Sequence, residues 1–174
     1  MIGILAGGQR SQTIHAINVM DIRATTEKCI IPIYNPIKQT RKGKHMKPLE
    51  FRVYQPDEKL CVVHNLTTYL DKTKSHRKSP FLFLSYQRLC HHVTKDTVTT
   101  WVNDVMNKAG IDTNKYLTHS CRAAASSFAA NKRNVPLKAI MDACGWSSAS
   151  TFASHYNKEV DSIDIRTIGE RILS

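Results

Sequence analysis

Thr118-His119-Ser120-Cys121-Arg122, then Gly145-Trp146, then His155-Tyr156 stand in that order toward the end of a 174-residue chain. The three-residue step from His119 to Arg122 brings an imidazole and a guanidinium onto adjacent rungs of one helix face. Both can then serve one anion. A guanidinium is a planar, permanently charged fork suited to phosphate. An indole N–H adds one donor, and the phenol of Tyr156 supplies a nucleophilic oxygen. Those residue types in that order point to phosphate chemistry carried out by a tyrosine.

The stretch from Leu117 to Asn157 resembles the second conserved box of the tyrosine recombinases, the integrase family that shares its catalytic domain with type IB topoisomerases. There the box reads His-x-x-Arg, a helix, Gly-His or Gly-Trp, and the nucleophilic Tyr, and this chain fills each slot. Upstream, Ala6-Gly7-Gly8-Gln9-Arg10 resembles the first box, in which an Arg follows a Gly-containing turn and opens a helix, and so nominates Arg10. The family also uses a Lys at a strand end or in the following β turn. Lys38 is the favoured match, with Lys42 and Lys44 as rivals. The family usually carries an acidic residue three positions after the first-box Arg, where this chain has Thr13. The Gly-Trp pair and the His-Ser-Cys-Arg-Ala-Ala run look more like recombinases of eukaryotic mobile elements, DIRS-like or crypton-like, than bacterial chromosome-resolution enzymes.

The resemblance implies DNA strand cleavage and rejoining through a 3′-phosphotyrosyl intermediate, with no metal and no cofactor. Cutting a phosphodiester this way requires positive groups around the phosphorane and a proton donor for the departing sugar oxygen. Arg10 and Arg122 would hold the nonbridging oxygens, and His119 would hydrogen-bond the phosphate. Trp146 would donate an N–H or pack the site, Lys38 would protonate the 5′ oxygen, and Tyr156 would attack. These groups should line one positively charged concave surface. The implied partner is double-stranded DNA, bound by a homo-tetramer.

Composition is compatible with that partner. Twenty-five Lys and Arg against fourteen Asp and Glu leave +11, which favours a polyanion or an acidic membrane surface. The densest positive cluster is Lys38, Arg41, Lys42, Lys44 and Lys47, assigned to DNA contact. An apolar run long enough to span a bilayer is missing, and the opening residues lack the charged and apolar regions of a signal peptide. An intracellular protein without membrane association is expected, nuclear if it belongs to a eukaryotic element and otherwise cytoplasmic. Five scattered cysteines without Cys-x-x-Cys argue against a disulfide framework or a zinc site.

The elements that must position these groups read as α+β, mainly α: a recombinase-like helical fold around a small antiparallel sheet. Helices are expected at 10–19, 58–70, 95–109, 120–131, 136–144, 148–156 and 162–173, and strands at 29–34, 49–54 and 81–84. The stretch 72–78 reads as a charged loop. Val98, Trp101, Val102, Val105, Met106 and Ala109 form the clearest apolar stripe, ended by Gly110, which makes Trp101 a core residue. Pro136 fits a first helical turn and Gly145 a helix end. Residues 1–174 form one catalytic domain. It is expected to be truncated at the N-terminus and to lack the DNA-clamping domain, because only nine residues precede Arg10.

Each feature has a plainer account. A lone His-x-x-Arg arises often by chance, a Trp is more often a core aromatic, and a charge run is usually a solvated loop. Tyr34, Tyr54, Tyr69, Tyr86 and Tyr116 compete as nucleophiles, yet none lies downstream of both His119 and Trp146. The alternative function is a non-catalytic DNA-binding remnant of a mobile-element recombinase. A basic RNA-binding module fits less well, because no aromatic-basic repeat is present.

Overall fold

The computed structural model describes residues 7–35, 37, 46–86, 90–146 and 148–155, with the side chains of 151, 154 and 155 excepted. Lys38, Arg41, Lys42, Lys44, Tyr156 and the expected helix 162–173 lie outside the described residues.

Three short strands, β1 (Arg23–Ala24), β2 (Lys28–Ile31) and β3 (Leu49–Arg52), form an antiparallel sheet in the order β1-β2-β3. Cys29 faces Phe51 and Ile31 faces Leu49 across the ladder, so the alternating inward residues of both strands meet on one face. That face and the helix α2 (Val62–Thr73) enclose the first core cluster, which includes Cys29, Ile31, Leu49, Phe51 and Val63. The turn between β1 and β2 is closed by Thr25, whose hydroxyl accepts from the backbone N–H groups of Glu27 and Lys28. Both longer strands stop short of their expected ends at 34 and 54. Pro32 lacks the N–H needed to continue β2. After β3, the Tyr54 N–H turns to the Cys61 sulfur.

The expected helix 10–19 is a single α turn and a half. Helix α1 (Ser11–His15) ends at Ala16, and a 3-10 turn follows at Val19–Asp21. The interruption has a cause in hydrogen bonding. The Ile17 carbonyl accepts from Leu82 N–H at 2.9 Å and Val19 N–H donates to the Pro80 carbonyl at 2.7 Å, so this backbone is drawn into a bridge. The same exchange accounts for the expected strand 81–84, which among the described residues makes isolated bridges, Asn18 with Phe81 and Leu84 with His92. The expected helix 58–70 splits into a 3-10 turn at Glu58–Leu60 and α2, with the Cys61 sulfur accepting from His64 N–H at the junction. The stretch 72–78 is partly helical: α2 runs to Thr73 and a 3-10 turn covers Lys74–His76.

Helix α3 (Lys95–Lys108) opens on Thr94, whose hydroxyl accepts from Thr97 N–H. It buries Val98, Val102 and Met106, while Val105 is exposed. Trp101 is half-buried with its ring edge-on to Phe83. Helix α4 (Thr118–Arg133) carries the His-x-x-Arg pair and ends on Asn134 in the left-handed region. Helix α5 (Leu137–Cys144) follows, then α6 (Ala149–His155). Pro136 caps α5 from just outside it. Cys121 of α4 packs with Val102 and Met106, and Ile140, Cys144, Trp146 and Phe152 make a third cluster.

Candidate active site

The C-terminus of α5 organises the site. A helix leaves its last four carbonyls without intrahelical donors. Gly145 adopts φ 65°, a left-handed conformation glycine enters at no steric cost, and turns the chain back on the helix. Trp146 N–H then reaches the Met141 carbonyl at 2.9 Å and Gly145 N–H the Asp142 carbonyl at 3.3 Å. This pair is the Schellman arrangement. It fixes where the Trp146 indole can go.

The next two carbonyls are taken by the two boxes. Arg122 donates from Nη2 to the Cys144 carbonyl at 2.6 Å.

 In sequence the two residues stand 22 apart, and this bond ties α4 to the end of α5. Gln9 donates from Nε2 to the Ala143 carbonyl at 2.5 Å and to the Gly7 carbonyl at 2.7 Å. All four terminal carbonyls of α5 therefore have donors, two from the turn itself and one from each box.

Arg122 is 1% exposed. A buried guanidinium needs partners on its edges and faces. Besides the Cys144 carbonyl, Arg122 lies 4.6 Å from the centre of the Trp146 ring, a cation–π contact. Trp146 packs in turn against Phe152 of α6, with ring centres 5.3 Å apart. The indole thus serves as a shelf under the arginine.

Arg10 caps α1 with an extended backbone, and its carbonyl accepts from Thr13 and Ile14 N–H. Its side chain is half-buried. Burial pushes the Cys144 thiol up, while the charges of Arg122 and Arg10 pull it back, so one sulfur feels both arginines. The Gly7-Gly8 turn gives the first box its approach. Gly8 has φ 57°, and a Cβ there would collide with the Cys144 sulfur. Thr13, at the position usually acidic in the resembling family, is buried.

His119 occupies the first turn of α4, exposed, one turn before Arg122. Thr118 beside it donates to the Asn103 side chain of α3 at 2.7 Å, tethering this turn. Lys47 ion-pairs with Asp142 of α5 at 2.8 Å, and that hydrogen bond holds the Asp142 carboxyl below the usual carboxylate range. The basic stretch beginning at Lys38 therefore ends against the same helix. Arg10, Arg122 and Trp146 are brought together; Lys38 and Tyr156 fall outside the described residues. No group of three or more His, Cys, Asp or Glu side chains suited to a metal occurs among the described residues. Sequence reasoning missed Gln9 and Cys144, whose positions acquire meaning only from contacts with segments far along the chain.

The phage integrase family matches residues 2–162. No curated protein sequence matches the chain. Among solved structures, a crystal structure of XerA recombinase superposes with a TM-score of 0.67 at 21% identity, over 95% of this chain and 53% of that one. XerH site-specific recombinase in a pre-cleavage complex with its difH substrate gives 0.66 at 19% identity, over 97% and 44%. Its post-cleavage complex with a palindromic difH substrate gives 0.62 at 19%, over 99% and 44%. The expected mainly helical fold with a small antiparallel sheet is the fold of these recombinases, and the chain spans about half of their length.

Proposed function

This chain belongs to the phage integrase family, and from that premise we propose that it is the catalytic domain of a site-specific DNA recombinase working through a tyrosyl intermediate. The observation that carries the reading is the convergence of Arg10 and Arg122 on the end of α5, beside Trp146. Two guanidiniums converging on one helix end have a use at a phosphodiester, where they neutralise charge on the nonbridging oxygens.

In the proposed step the Tyr156 phenol gives up its proton, with His119 as acceptor, and its oxygen attacks the phosphorus. The bond to the 5′ oxygen breaks, and Lys38, or Lys42 or Lys44 in its place, protonates that leaving group. The product is a 3′-phosphotyrosyl link and a free 5′ hydroxyl. One phosphodiester has been exchanged for another, so a 5′ hydroxyl from a second strand can reverse the reaction without an energy source. Arg122 needs little reorganisation, because the Cys144 carbonyl and the Trp146 face already hold it. Reaching it requires the cover over a side chain that is 1% exposed to open.

Double-stranded DNA is the proposed partner, with Arg41, Lys42, Lys44 and Lys47 contacting phosphates and four copies assembling for strand exchange. The net charge of +11 supports a polyanion. The finer proposal, a mobile element of a eukaryotic host with a nuclear site of action, rests on the Gly145-Trp146 pair and the sequence around His119. The test is incubation with nicked suicide duplexes drawn from a randomised pool, followed by a denaturing gel. A covalent protein–DNA band is expected. DNA binding without any adduct, even with a clamp domain supplied, would favour the non-catalytic DNA-binding remnant.

A further inference from the structure

We infer that Gln9 is a positioning residue for the two arginines, a role that rests on the recombinase reading of the same site. The neighbouring carbonyls of Ala143 and Cys144 are held by Gln9 and Arg122 at 2.5 and 2.6 Å. Gln9 is the residue before Arg10, so these two bonds fix the first-box arginine against the second-box arginine through one helix end. The amide orientation is set by its surroundings. Gly7 and Ala143 both present carbonyl oxygens, and only the NH2 side of an amide can donate to two acceptors.

Gln9 is 2% exposed, and its Oε1 is buried with no hydrogen-bond partner among the described residues. A purely apolar side chain would fill this place without leaving a buried acceptor unsatisfied. What an apolar residue cannot do is hold the Ala143 carbonyl. Gly7 and Gly8 are pressed between Phe51 of β3 and Cys144 of α5, so the turn has contact on both sides. The Gln9 amide supplies its directional bond along the seam, 134 residues away in sequence. Without it the turn keeps its packing and loses its register, and Arg10 shifts relative to Arg122.

The experiment is a double-mutant cycle of Gln9→Met and Arg10→Ala, read as affinity for a short duplex recovered by selection from a randomised pool. Met keeps the volume and removes the donor. Gln9→Met should weaken binding when Arg10 is present and have no effect when position 10 is Ala. An equal loss in both backgrounds, or none in either, overturns the inference. In single-turnover cleavage at saturating DNA, Gln9→Met should be slower by about a hundredfold, the scale of a misplacement near 1 Å. A wild-type rate in a folded Met variant also overturns it. If the Met variant does not fold, Gln9→Glu replaces it. A neutral Glu donates one hydrogen bond and a carboxylate none, so coupling to Arg10 in the affinity cycle should be small at acid pH and grow as pH rises. Coupling that ignores pH tells against the positioning role. If wild type forms no adduct, the recombinase reading fails while the affinity cycle still decides what Gln9 does.

Discussion

At the scale of single residues, the proposed mechanism separates groups that bind from groups that react. Arg122 does structural work as well, since its Nη2 holds the Cys144 carbonyl and its plane covers Trp146. Arg122→Ala should abolish the covalent adduct, weaken DNA binding with a salt slope smaller by about one, and cost about 1–3 kcal/mol of stability by uncovering a buried carbonyl. Tyr156→Phe removes one oxygen and keeps the ring. Its adduct should disappear while affinity, salt slope and melting temperature stay at wild-type values. The pair is checked by gel, by binding titrations at several salt concentrations and by thermal melts; an adduct in the Phe variant would exclude Tyr156. The types and order of His119, Arg122, Trp146 and Tyr156 can be read from the sequence alone, because the proposed chemistry needs particular side chains. The depth of Arg122 cannot. A charged residue is ordinarily expected at the surface, and its burial depends on an indole and a carbonyl more than twenty residues away.

At the scale of elements, periodicity served where one element buries its own face, and failed where backbone groups found partners elsewhere. Helix α3 was legible from Val98, Val102 and Met106. The break after His15 was not, because Ile17 and Val19 pair with Leu82 and Pro80 through main-chain atoms that carry no sequence signal. That bridge lies beside a ring cluster with its own pH dependence. His92 stacks on Phe81 at 4.1 Å and sits 4.5 Å from His15, the last residue of α1. Burial, and then the neighbouring His15, hold the His92 pKa below its ordinary value. The folded chain therefore binds fewer protons here than the unfolded one. This contribution to stability is complete above about pH 6.5, the unfolded value, and is lost as pH falls through the lower folded value. His92→Gln should flatten that part of the melting-temperature profile; an unchanged acid slope would remove His92 from the account.

At the scale of the whole molecule, the site depends on joining a sheet-based half to a helical half. The sheet and α2 enclose one cluster, and α3 and α4 enclose another. Ile14 packs against both clusters. It lies on α1, one turn after Arg10, whose carbonyl accepts from its N–H at 3.1 Å. A side chain placed there transmits the relation between the halves directly to the first-box arginine. Ile14→Ala should cost about 2 kcal/mol, the low end for an Ile truncation because the residue is only partly buried. It should do more than lower a melting temperature. Loosening the contact between the clusters lets α1 move against α4, so DNA affinity should fall although Ile14 touches no phosphate. Ile14→Val, which trims one methylene and keeps the branched shape, should restore most of both. Thermal melts and binding titrations on the three proteins check this together: equal affinity for wild type and the Ala variant, with the expected loss of stability, would confine Ile14 to packing.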